Sequence, residues 1–398
     1  MMNILFIAKY YPDALLPEFS KQTKVGLDYA AHNLHQALFQ GFKENGQKIS
    51  ILNAPILGSF PPFYKKPFVP GYSSVVDDVK SLSFCNVSYI KRWDINRKME
   101  KEALKWCKQT EGEKVLFFYN FTALPILFKV KKKFPDVKAC LLVTDLPEYM
   151  TTNNSLLTRL NKKVSSLFFK ENEDVYNLVD GYVLLAPDMR ERLLVGDKPW
   201  LHMEGIYNPE EDDVKAVKSE EKVILYTGNI CKRYGILNLL DAFEKIKSPN
   251  YRLWIRGNGD TLDEIKRRMA VDNRIVYFDR MSKNELMKLQ KQATLLVNPV
   301  RSSEEFTRFF FPSKTLEYLA SGTPTLMAPL KCMPNEYEQH LFYFNDESVE
   351  GMANRIVEIC EKSGDELKEF GKKSSEFIQT FKTPQPQVEK IISFLSRL

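Results

Sequence analysis

The sequence predicts an α/β protein built from two doubly wound domains. Short apolar runs with the length of buried strands alternate with helical patterns, and this alternation occurs twice along the chain. An acidic stretch that contains proline, residues 208–213, separates the two series. A chain of 398 residues is also long enough for two domains with separate cores.

The first series predicts strands and helices from residue 3 to residue 185. The strands are expected at 3–8, 48–52, 115–119, 138–144 and 181–185, with helices at 25–42 and from the third strand to about 134. The carboxyl ends of such parallel strands are where a doubly wound sheet binds its ligands.

The second series begins after the acidic stretch and has a similar size. Strands are expected at 223–227, 251–256, 274–278 and 294–297, with helices at 236–246 and 282–292. Ser282 and Glu285 have the spacing of a capping box. Apolar residues at helical spacing in 387–398 predict a terminal helix. We therefore expect domains at 1–205 and 206–385, with the helix at 386–398 packing back on the first.

The composition excludes several classes of protein. Hydrophobic residues make up 44% of the chain and charged residues 27%, which is typical of a folded domain. The six cysteines are scattered, so they predict reduced thiols. No secretory signal or membrane-spanning run is evident, which predicts a cytoplasmic chain. The net charge of +6 is modest, and no nucleic-acid-binding fingerprint accompanies it.

The residues from 301 to 327 carry the most informative pattern. Pro312 and Ser313 predict a helix start and Gly322 its end. Lys314 and the free N–H groups of this first turn suit a phosphate group. Glu317 follows one turn later and suits a ribose diol, although the pattern taken alone favours an ordinary solvated glutamate.

Glycine-containing loops follow two predicted strands of the second series. Gly228 permits a close approach of a ligand, and the cations of Lys232 and Arg233 suit a diphosphate, although two solvated cations on a loop remain the alternative. Arg256 and Gly257 follow the next strand, but the third glycine of a dinucleotide fingerprint is missing.

In the first series, Asp145 follows a buried strand and either orients a substrate hydroxyl or caps the next helix. His32 and His35 lack the companion ligands of a metal site, so we interpret them as packing or surface residues.

Together these windows resemble the retaining glycosyltransferases of family 4. The resemblance spans nearly the whole chain and is strongest at 312–324. It implies the GT-B fold, in which two Rossmann-like domains face a central cleft. The first domain would bind the acceptor and the second the nucleotide-sugar donor.

The resemblance also implies roles for individual residues. Glu317 would bind the donor ribose, and the helix start would bind the diphosphate. The family's first glutamate position holds Phe309, with Glu304 and Glu305 nearby as substitutes. Asn229 stands where the family has an arginine, and Asp145 where it often has a histidine. The expected catalytic residues are Asp145, Lys232, Arg233 and Lys314, and the expected donor-binding residues are Gly228, Asn229, Arg256, Gly257, Ser313, Thr315 and Glu317.

The activity implied is transfer of a sugar with retention, most commonly from a UDP-sugar, and without a metal or cofactor. The acceptor would be a saccharide or a lipid-linked saccharide in surface polysaccharide biosynthesis. Two segments that mix aromatic and basic residues, 60–68 and 159–170, suit peripheral contact with the anionic inner face of the plasma membrane. Two alternatives remain open: a catalytically silent partner that binds a nucleotide sugar, and a sugar-nucleotide epimerase of the same fold.

Overall fold

Two mainly parallel sheets organise the chain in the computed structural model, which describes residues 2–146, 173–193, 195–209 and 214–398. The chain divides into two compact units, residues 1–206 with 384–398, and residues 207–383.

The first unit contains an eight-stranded sheet and a separate two-stranded ribbon. Its strands are β1 Asn3–Ala8, β2 Ile49–Asn53, β3 Phe68–Val69, β4 Tyr72–Ser74, β5 Val79–Ser81, β6 Phe84–Cys85, β7 Lys114–Tyr119, β8 Lys138–Val143, β9 Gly181–Leu184 and β10 Trp200–His202. The order in the large sheet is β10-β9-β8-β7-β1-β2-β5-β4, with only β4 antiparallel, and β3 pairs with β6 in the ribbon.

The helices of the first unit are α1 Leu16–Gln22, α2 Tyr29–Glu44, α3 Ile90–Gln109, α4 Leu127–Lys133, α5 Glu173–Asn177, α6 Met189–Arg192 and, from the C-terminus, α13 Pro384–Leu395. A 3-10 helix, Phe121–Ile126, precedes α4. The C-terminal helix packs against α2, where a Cβ on Gly41 would lie 2.4 Å from the Pro384 carbonyl oxygen. Val388 and Ile391 of this helix are fully buried in the core of the first unit.

The second unit contains six parallel strands in the order β13-β12-β11-β14-β15-β16. They are β11 Lys222–Asn229, β12 Tyr251–Asn258, β13 Ile275–Phe278, β14 Leu295–Asn298, β15 Thr325–Met327 and β16 Phe342–Tyr343. The helices are α7 Ile236–Lys245, α8 Leu262–Met269, α9 Lys283–Gln292, α10 Lys314–Ala320, α11 Val349–Cys360 and α12 Gly364–Phe381.

The strand order defines one switch point in each sheet. In the first sheet the chain passes from β1 to β2 on one side and later returns to β7 on the other. In the second sheet β11 is flanked in the same way by β12 and β14. Ligands of such sheets bind outside the carboxyl ends of the strands at these points.

Most of the predicted elements are confirmed, and the later start of helix α2 has a local cause. Helix α2 starts at Tyr29 and not at residue 25, because the Asp28 carboxylate accepts a hydrogen bond from the Ala31 N–H at 3.1 Å and so fixes the first turn. Helix α3 and the short strands β3 to β6 were not predicted. The capping box of Ser282 and Glu285 is present at the start of α9.

Candidate functional site

The carboxyl end of β11 forms a tight turn at the switch point of the second unit. Gly228 has φ of 131°, a conformation that favours glycine. The next residue, Asn229, is exposed and holds the turn, because its Oδ1 accepts a hydrogen bond from the Cys231 N–H at 3.0 Å. Its carbonyl oxygen accepts a second one from the Tyr226 hydroxyl. Asn229 therefore shapes the loop with both its side chain and its main chain.

Lys314 brings a positive charge to this turn. Its Nζ donates to the Tyr226 hydroxyl at 3.1 Å and lies 4.3 Å from the centre of the Tyr226 ring. A Cβ on Gly228 would lie 2.9 Å from the same Nζ, so the absence of a side chain at Gly228 makes room for the ammonium group. Burial lowers the pKa of Lys314 to about 7, and the charge of Glu317 opposes this shift. A bound anion would stabilise the charged form of this lysine.

Tyr318 fixes helix α10 to the end of β11. Its hydroxyl accepts a hydrogen bond from the Thr227 N–H at 2.7 Å and donates one to the Thr227 carbonyl at 3.0 Å. Tyr318 is fully buried. Sequence analysis missed Tyr226 and Tyr318 because each occupies an apolar position of a strand or a helix, where tyrosine resembles an ordinary core residue. The available signal was the position of Tyr226 near the carboxyl end of a strand that was predicted to bind a ligand.

The start of α10 differs in part from the prediction. Ser313 stands at the N-cap position and is exposed, but its backbone is helical and its side chain makes no capping bond. Thr315 is fully buried, its N–H donates to the Pro312 carbonyl at 2.8 Å, and its hydroxyl faces the sulfur of Met327 at 3.9 Å. The expectation that Thr315 offers a free N–H group to a ligand is therefore wrong. Glu317, one turn further along this helix, is exposed.

The loop after β12 supports the β11 turn. A Cβ on Gly257 would lie 1.8 Å from the Gly228 carbonyl oxygen, and one on Gly259 would lie 2.6 Å from the Ile230 carbonyl carbon. These two glycines therefore permit the end of β12 to pack closely on the end of β11 and its turn, which is a structural reason for a glycine at position 257.

Arg256 precedes Gly257 and pairs in register with Thr227 on the adjacent strand. It is partly buried, and among the described residues no side chain or carbonyl forms a hydrogen bond or ion pair with its guanidinium. Arg256 is thus a cation on the strand next to the end of β11, and no described residue pairs with its side chain.

The cations predicted on the β11 loop have different surroundings. Lys232 is exposed, and its main-chain N–H donates to Asp260 Oδ1 at 3.0 Å. The Arg233 guanidinium stacks 4.1 Å from the centre of the Phe306 ring. The nearby Phe309, at the family's first glutamate position, is only 2% exposed. Phe309 therefore contributes to the core, and its ring is not presented to a ligand, whereas Glu304 and Glu305 are exposed.

In the first unit, Asp145 follows β8 next to a small polar cluster. Burial raises the pKa of its carboxyl group, the charge of Asp28 adds to this, and a hydrogen bond from Thr144 opposes it. The Thr144 hydroxyl lies 3.4 Å from that of Tyr119, at the end of the adjacent strand β7. The segment that follows Asp145 from residue 147 lies outside the described residues, so a capping role of Asp145 remains a prediction.

Both histidines of α2 are buried, as a packing role requires. His35 Nε2 accepts a hydrogen bond from the Lys9 N–H at 3.0 Å, and its Nδ1 therefore donates to the Ala31 carbonyl at 2.7 Å. Burial lowers the pKa of His35 to about 3, so this ring is neutral. Within the described ranges, no group of three or more His, Cys, Asp or Glu side chains is placed to share a metal ion.

The two segments with mixed aromatic and basic residues have different outcomes. Residues 159–170 lie outside the described residues. In 60–68, Tyr64 is fully buried, whereas Phe63 and Phe68 are 49% and 66% exposed. Lys65 and Lys66 are exposed between them. No helix in the described parts of the chain is long and apolar enough to cross a bilayer.

Comparison with known proteins finds a family match in the second unit. Residues 221–362 match the family model of glycosyl transferases group 1, and this match lies within the second unit. An uncharacterised glycosyltransferase of Methanocaldococcus jannaschii is 30% identical over 116 residues. That match covers 28% of this chain and 28% of the relative.

Solved structures resemble the whole chain. Sucrose-phosphate synthase from Thermosynechococcus elongatus superposes with a TM-score of 0.64 at 14% identity, covering 100% of this chain and 99% of that one. The catalytic domain of starch synthase IV from Arabidopsis thaliana, bound to ADP and acarbose, gives 0.63 at 8% identity with the same coverage. The trehalose-6-phosphate structure from E. coli, bound with UDP-2-fluoro glucose, gives 0.61 at 10%, again covering 100% and 99%. These are GT-B glycosyltransferase structures with two Rossmann-like domains, and the predicted fold class is confirmed.

Proposed function

We propose that this protein is a retaining glycosyltransferase that moves a sugar from a nucleotide-sugar donor, in the first instance a UDP-sugar, to a saccharide or lipid-linked saccharide. The reaction would serve surface polysaccharide biosynthesis. The observation that carries the proposal is the Lys314 ammonium group, held against Gly228 at the switch point of the unit that contains the match to glycosyl transferases group 1.

The donor diphosphate would occupy the space beside the β11 turn. Lys314 is fixed there by Tyr226, and the partly buried Arg256 lies on the neighbouring strand end. A diphosphate would give Arg256 a counter-charge and would add negative charge at Lys314 to that of Glu317. The exposed Lys232 and the stacked Arg233 would add positive potential at the mouth of the site. This charge would stabilise the leaving diphosphate without a metal or other cofactor.

The nucleoside would extend along helix α10. Glu317 lies one turn beyond Ser313 on the exposed side of this helix, where its carboxylate can accept hydrogen bonds from the two ribose hydroxyls. Tyr318 would keep the helix at a fixed distance from the β11 turn. The ribose and diphosphate contacts would then be made by one rigid element.

The transfer would break the bond between the anomeric carbon and the diphosphate oxygen and form a bond to an acceptor oxygen on the same face of the sugar. The acceptor hydroxyl would lose its proton to the departing phosphate. Asp145, at the end of β8 in the first unit, would orient the acceptor hydroxyl. Because Phe309 is buried, contacts to the transferred sugar would come from other residues, with Glu304 and Glu305 as candidates.

Two substitutions test the donor site. We expect Lys314→Gln and Glu317→Ala to weaken UDP binding by about tenfold or more, because each removes a hydrogen bond that involves a charged group. Isothermal titration calorimetry measures the affinity, and thermal unfolding checks that each variant is folded. Lys368→Ala, which removes an exposed lysine on α12, is the matched control. Unchanged affinity in both folded variants would refute the site assignment.

A silent nucleotide-sugar-binding partner is the second candidate, because a buried Phe309 replaces the family's first glutamate. It would bind a donor without turnover under any acceptor condition. An epimerase would convert the donor into its isomer without an acceptor. Analysis of the products after incubation with a nucleotide sugar distinguishes the silent partner and the epimerase from a transferase.

The acceptor side would contact a membrane surface through residues 60–68. The exposed rings of Phe63 and Phe68 can insert at the lipid interface, and the exposed Lys65 and Lys66 add positive charge beside them. Lys66 Nζ forms an ion pair with Glu18 at 2.7 Å, which an anionic headgroup would replace. Co-sedimentation with anionic vesicles tests this proposal. We expect the double variant Phe63→Ser, Phe68→Ser to lose vesicle binding while it retains UDP binding, and equal sedimentation of this variant and the wild type would refute membrane contact.

A further inference from the structure

A cavity of about 610 Å³ lies beside the edge strand β10 of the first unit. Its lining includes Pro199 and Trp200, where β10 begins, and Phe394 and Leu398 from the C-terminal segment. These last two pack on the start of β9, where a Cβ on Gly181 would lie 2.6 Å from the Leu398 side chain. The cavity is therefore at the amino ends of β9 and β10, whereas the switch point of this sheet is at the carboxyl ends of its strands.

Two arginines line this cavity, and neither has a counter-charge. The Arg190 guanidinium stacks 4.8 Å from the centre of the Trp200 ring. Arg397 uses only its Nε, which donates to the Ser393 carbonyl at 3.0 Å. Among the described residues, no carboxylate forms an ion pair with either guanidinium. Both arginines can therefore offer N–H groups in the fork geometry that matches a carboxylate or a phosphate.

A carboxylate faces the same cavity from a fixed loop. Lys198 holds this loop, because its Nζ donates to three carbonyl groups at 2.6–3.0 Å, those of Tyr176, Asn177 and Val179. Asp197 precedes Lys198, lines the cavity and is exposed. No described residue forms a hydrogen bond or ion pair with the Asp197 side chain. Its carboxylate can accept hydrogen bonds from the hydroxyl groups of a ligand.

We infer that this cavity is a second ligand site of the first unit and that it binds an acidic saccharide. Arg190 and Arg397 would bind the carboxylate or phosphate group of the sugar, and Asp197 would accept hydrogen bonds from its hydroxyl groups. Trp200 and Phe394 supply apolar surface for the carbon–hydrogen face of the ring. The volume is within the range of about 300–1,000 Å³ that is typical of small-molecule sites.

The combination of groups favours a sugar over a simple anion. An inorganic anion would use the two arginines and would be repelled by Asp197, whereas an acidic saccharide has a partner for each of these groups. In the proposed transferase, the site would hold a part of an acidic chain away from its reacting end. That role rests on the proposed function, but the binding itself does not.

The test measures the binding of four ligands to the full chain by isothermal titration calorimetry. Galacturonic acid trisaccharide carries carboxylates, glucose 6-phosphate carries a phosphate, maltotriose is neutral, and inorganic phosphate has no sugar. The variants are Arg190→Gln and Arg397→Gln. Arg97→Gln is the matched control, because Arg97 is also exposed and stacks 5.3 Å from the ring of another tryptophan, Trp93. Thermal unfolding confirms that each variant is folded.

We expect at least one of the two acidic sugars to bind, and the one that binds identifies the acid group. Arg190→Gln and Arg397→Gln should each weaken this binding by about tenfold or more, because each loses hydrogen bonds between charged groups. Arg97→Gln should bind like the wild type. Maltotriose and inorganic phosphate should bind the wild type at least about tenfold more weakly than the acidic sugar.

Four results would overturn the inference. They are no binding of either acidic sugar by the wild type, unchanged affinity in both folded arginine variants, equal affinity for maltotriose, and equal affinity for inorganic phosphate, which would show an anion site only. Titration with UDP separates this site from the donor site, because Arg190→Gln should bind UDP like the wild type. A wild type that binds the acidic sugar but not UDP would count against the donor site alone.

Discussion

Nucleotide binding should take up a proton at Lys314. In the free protein, burial lowers the pKa of this lysine from 10.5 to about 7. A bound diphosphate favours the charged ammonium and so raises its pKa. At a pH between the pKa of Lys314 in the free protein and its pKa in the complex, the complex holds about one proton more than the free protein. The affinity is therefore highest below pH 7 and falls as the pH rises above it.

The size of the effect follows from the free pKa. Above pH 7 each pH unit costs about 1.4 kcal/mol of binding free energy, until the bound pKa is reached. If the diphosphate restores an ordinary lysine pKa, the UDP affinity falls about 50-fold from pH 7 to pH 9. At pH 8, about 0.9 of a proton should be taken up per nucleotide, and the second phosphate ionisation near pH 6 contributes little there.

Calorimetry in buffers of different ionisation enthalpy measures this proton uptake directly. The wild type should take up nearly one proton at pH 8, and Lys314→Gln should take up none. Glu317→Ala serves as a control that weakens binding but keeps the lysine. Wild-type binding without proton uptake at pH 8, or equal uptake by Lys314→Gln, would refute the placement of Lys314 against the diphosphate.

Three further predictions concern the donor site and the core of the first unit. Tyr318→Phe removes the hydroxyl that bonds the Thr227 main chain, and urea unfolding should show a loss of about 1–3 kcal/mol together with weaker UDP binding. Gly228→Ala places a Cβ 2.9 Å from the Lys314 ammonium at φ of 131°, so UDP titration should show binding at least several-fold weaker. The pKa of His35 is about 3 in the folded protein and 6.5 in the unfolded chain. The contribution of this residue to the free energy of unfolding is therefore fully present above pH 6.5 and falls by about 1.4 kcal/mol per pH unit as the pH drops toward 3. The stability of His35→Gln, measured by urea unfolding, should depend less on pH than that of the wild type.

One control variant and three contradicting outcomes belong to these predictions. Gly364→Ala alters a glycine whose added Cβ would meet open space, so it should leave UDP affinity unchanged. If Gly228→Ala binds UDP as Gly364→Ala does, the close approach of Lys314 is wrong. Tyr318→Phe with wild-type stability would show that the hydroxyl does not hold α10. A His35→Gln variant with the wild-type pH profile would locate the acid sensitivity elsewhere.

The strands were predictable because burial on both faces leaves a continuous apolar run. In β1, the residues from Ile4 to Ala8 are at most 3% exposed, and the run is visible in the sequence. Helix α3 was missed because its buried residues are few, and they include the charged Asp94, which is held by the Cys85 N–H and Lys98. An apolar period cannot reveal a helix that buries so little apolar surface.

The sequence supports a proposal for a site residue where the residue type has a local chemical purpose, as for Lys314 and Glu317. A site residue was not predictable where its purpose depends on a distant contact. Gly257 reads as a ligand-binding glycine, but its neighbour is the Gly228 carbonyl of another loop. Lys9 reads as an ordinary lysine, and only the sheet order places it at the switch point of the first sheet.

The central claim is that the protein transfers a sugar from a nucleotide-sugar donor. The most direct test incubates the purified protein with UDP-, GDP-, ADP- and TDP-sugars, with and without lipid extract, and measures thermal stabilisation and nucleotide release. We predict that one donor, in the first instance a UDP-sugar, stabilises the protein and that its nucleotide is released only when acceptor is present. Stabilisation without release under every condition would favour the silent partner, and no stabilisation by any donor would contradict the account.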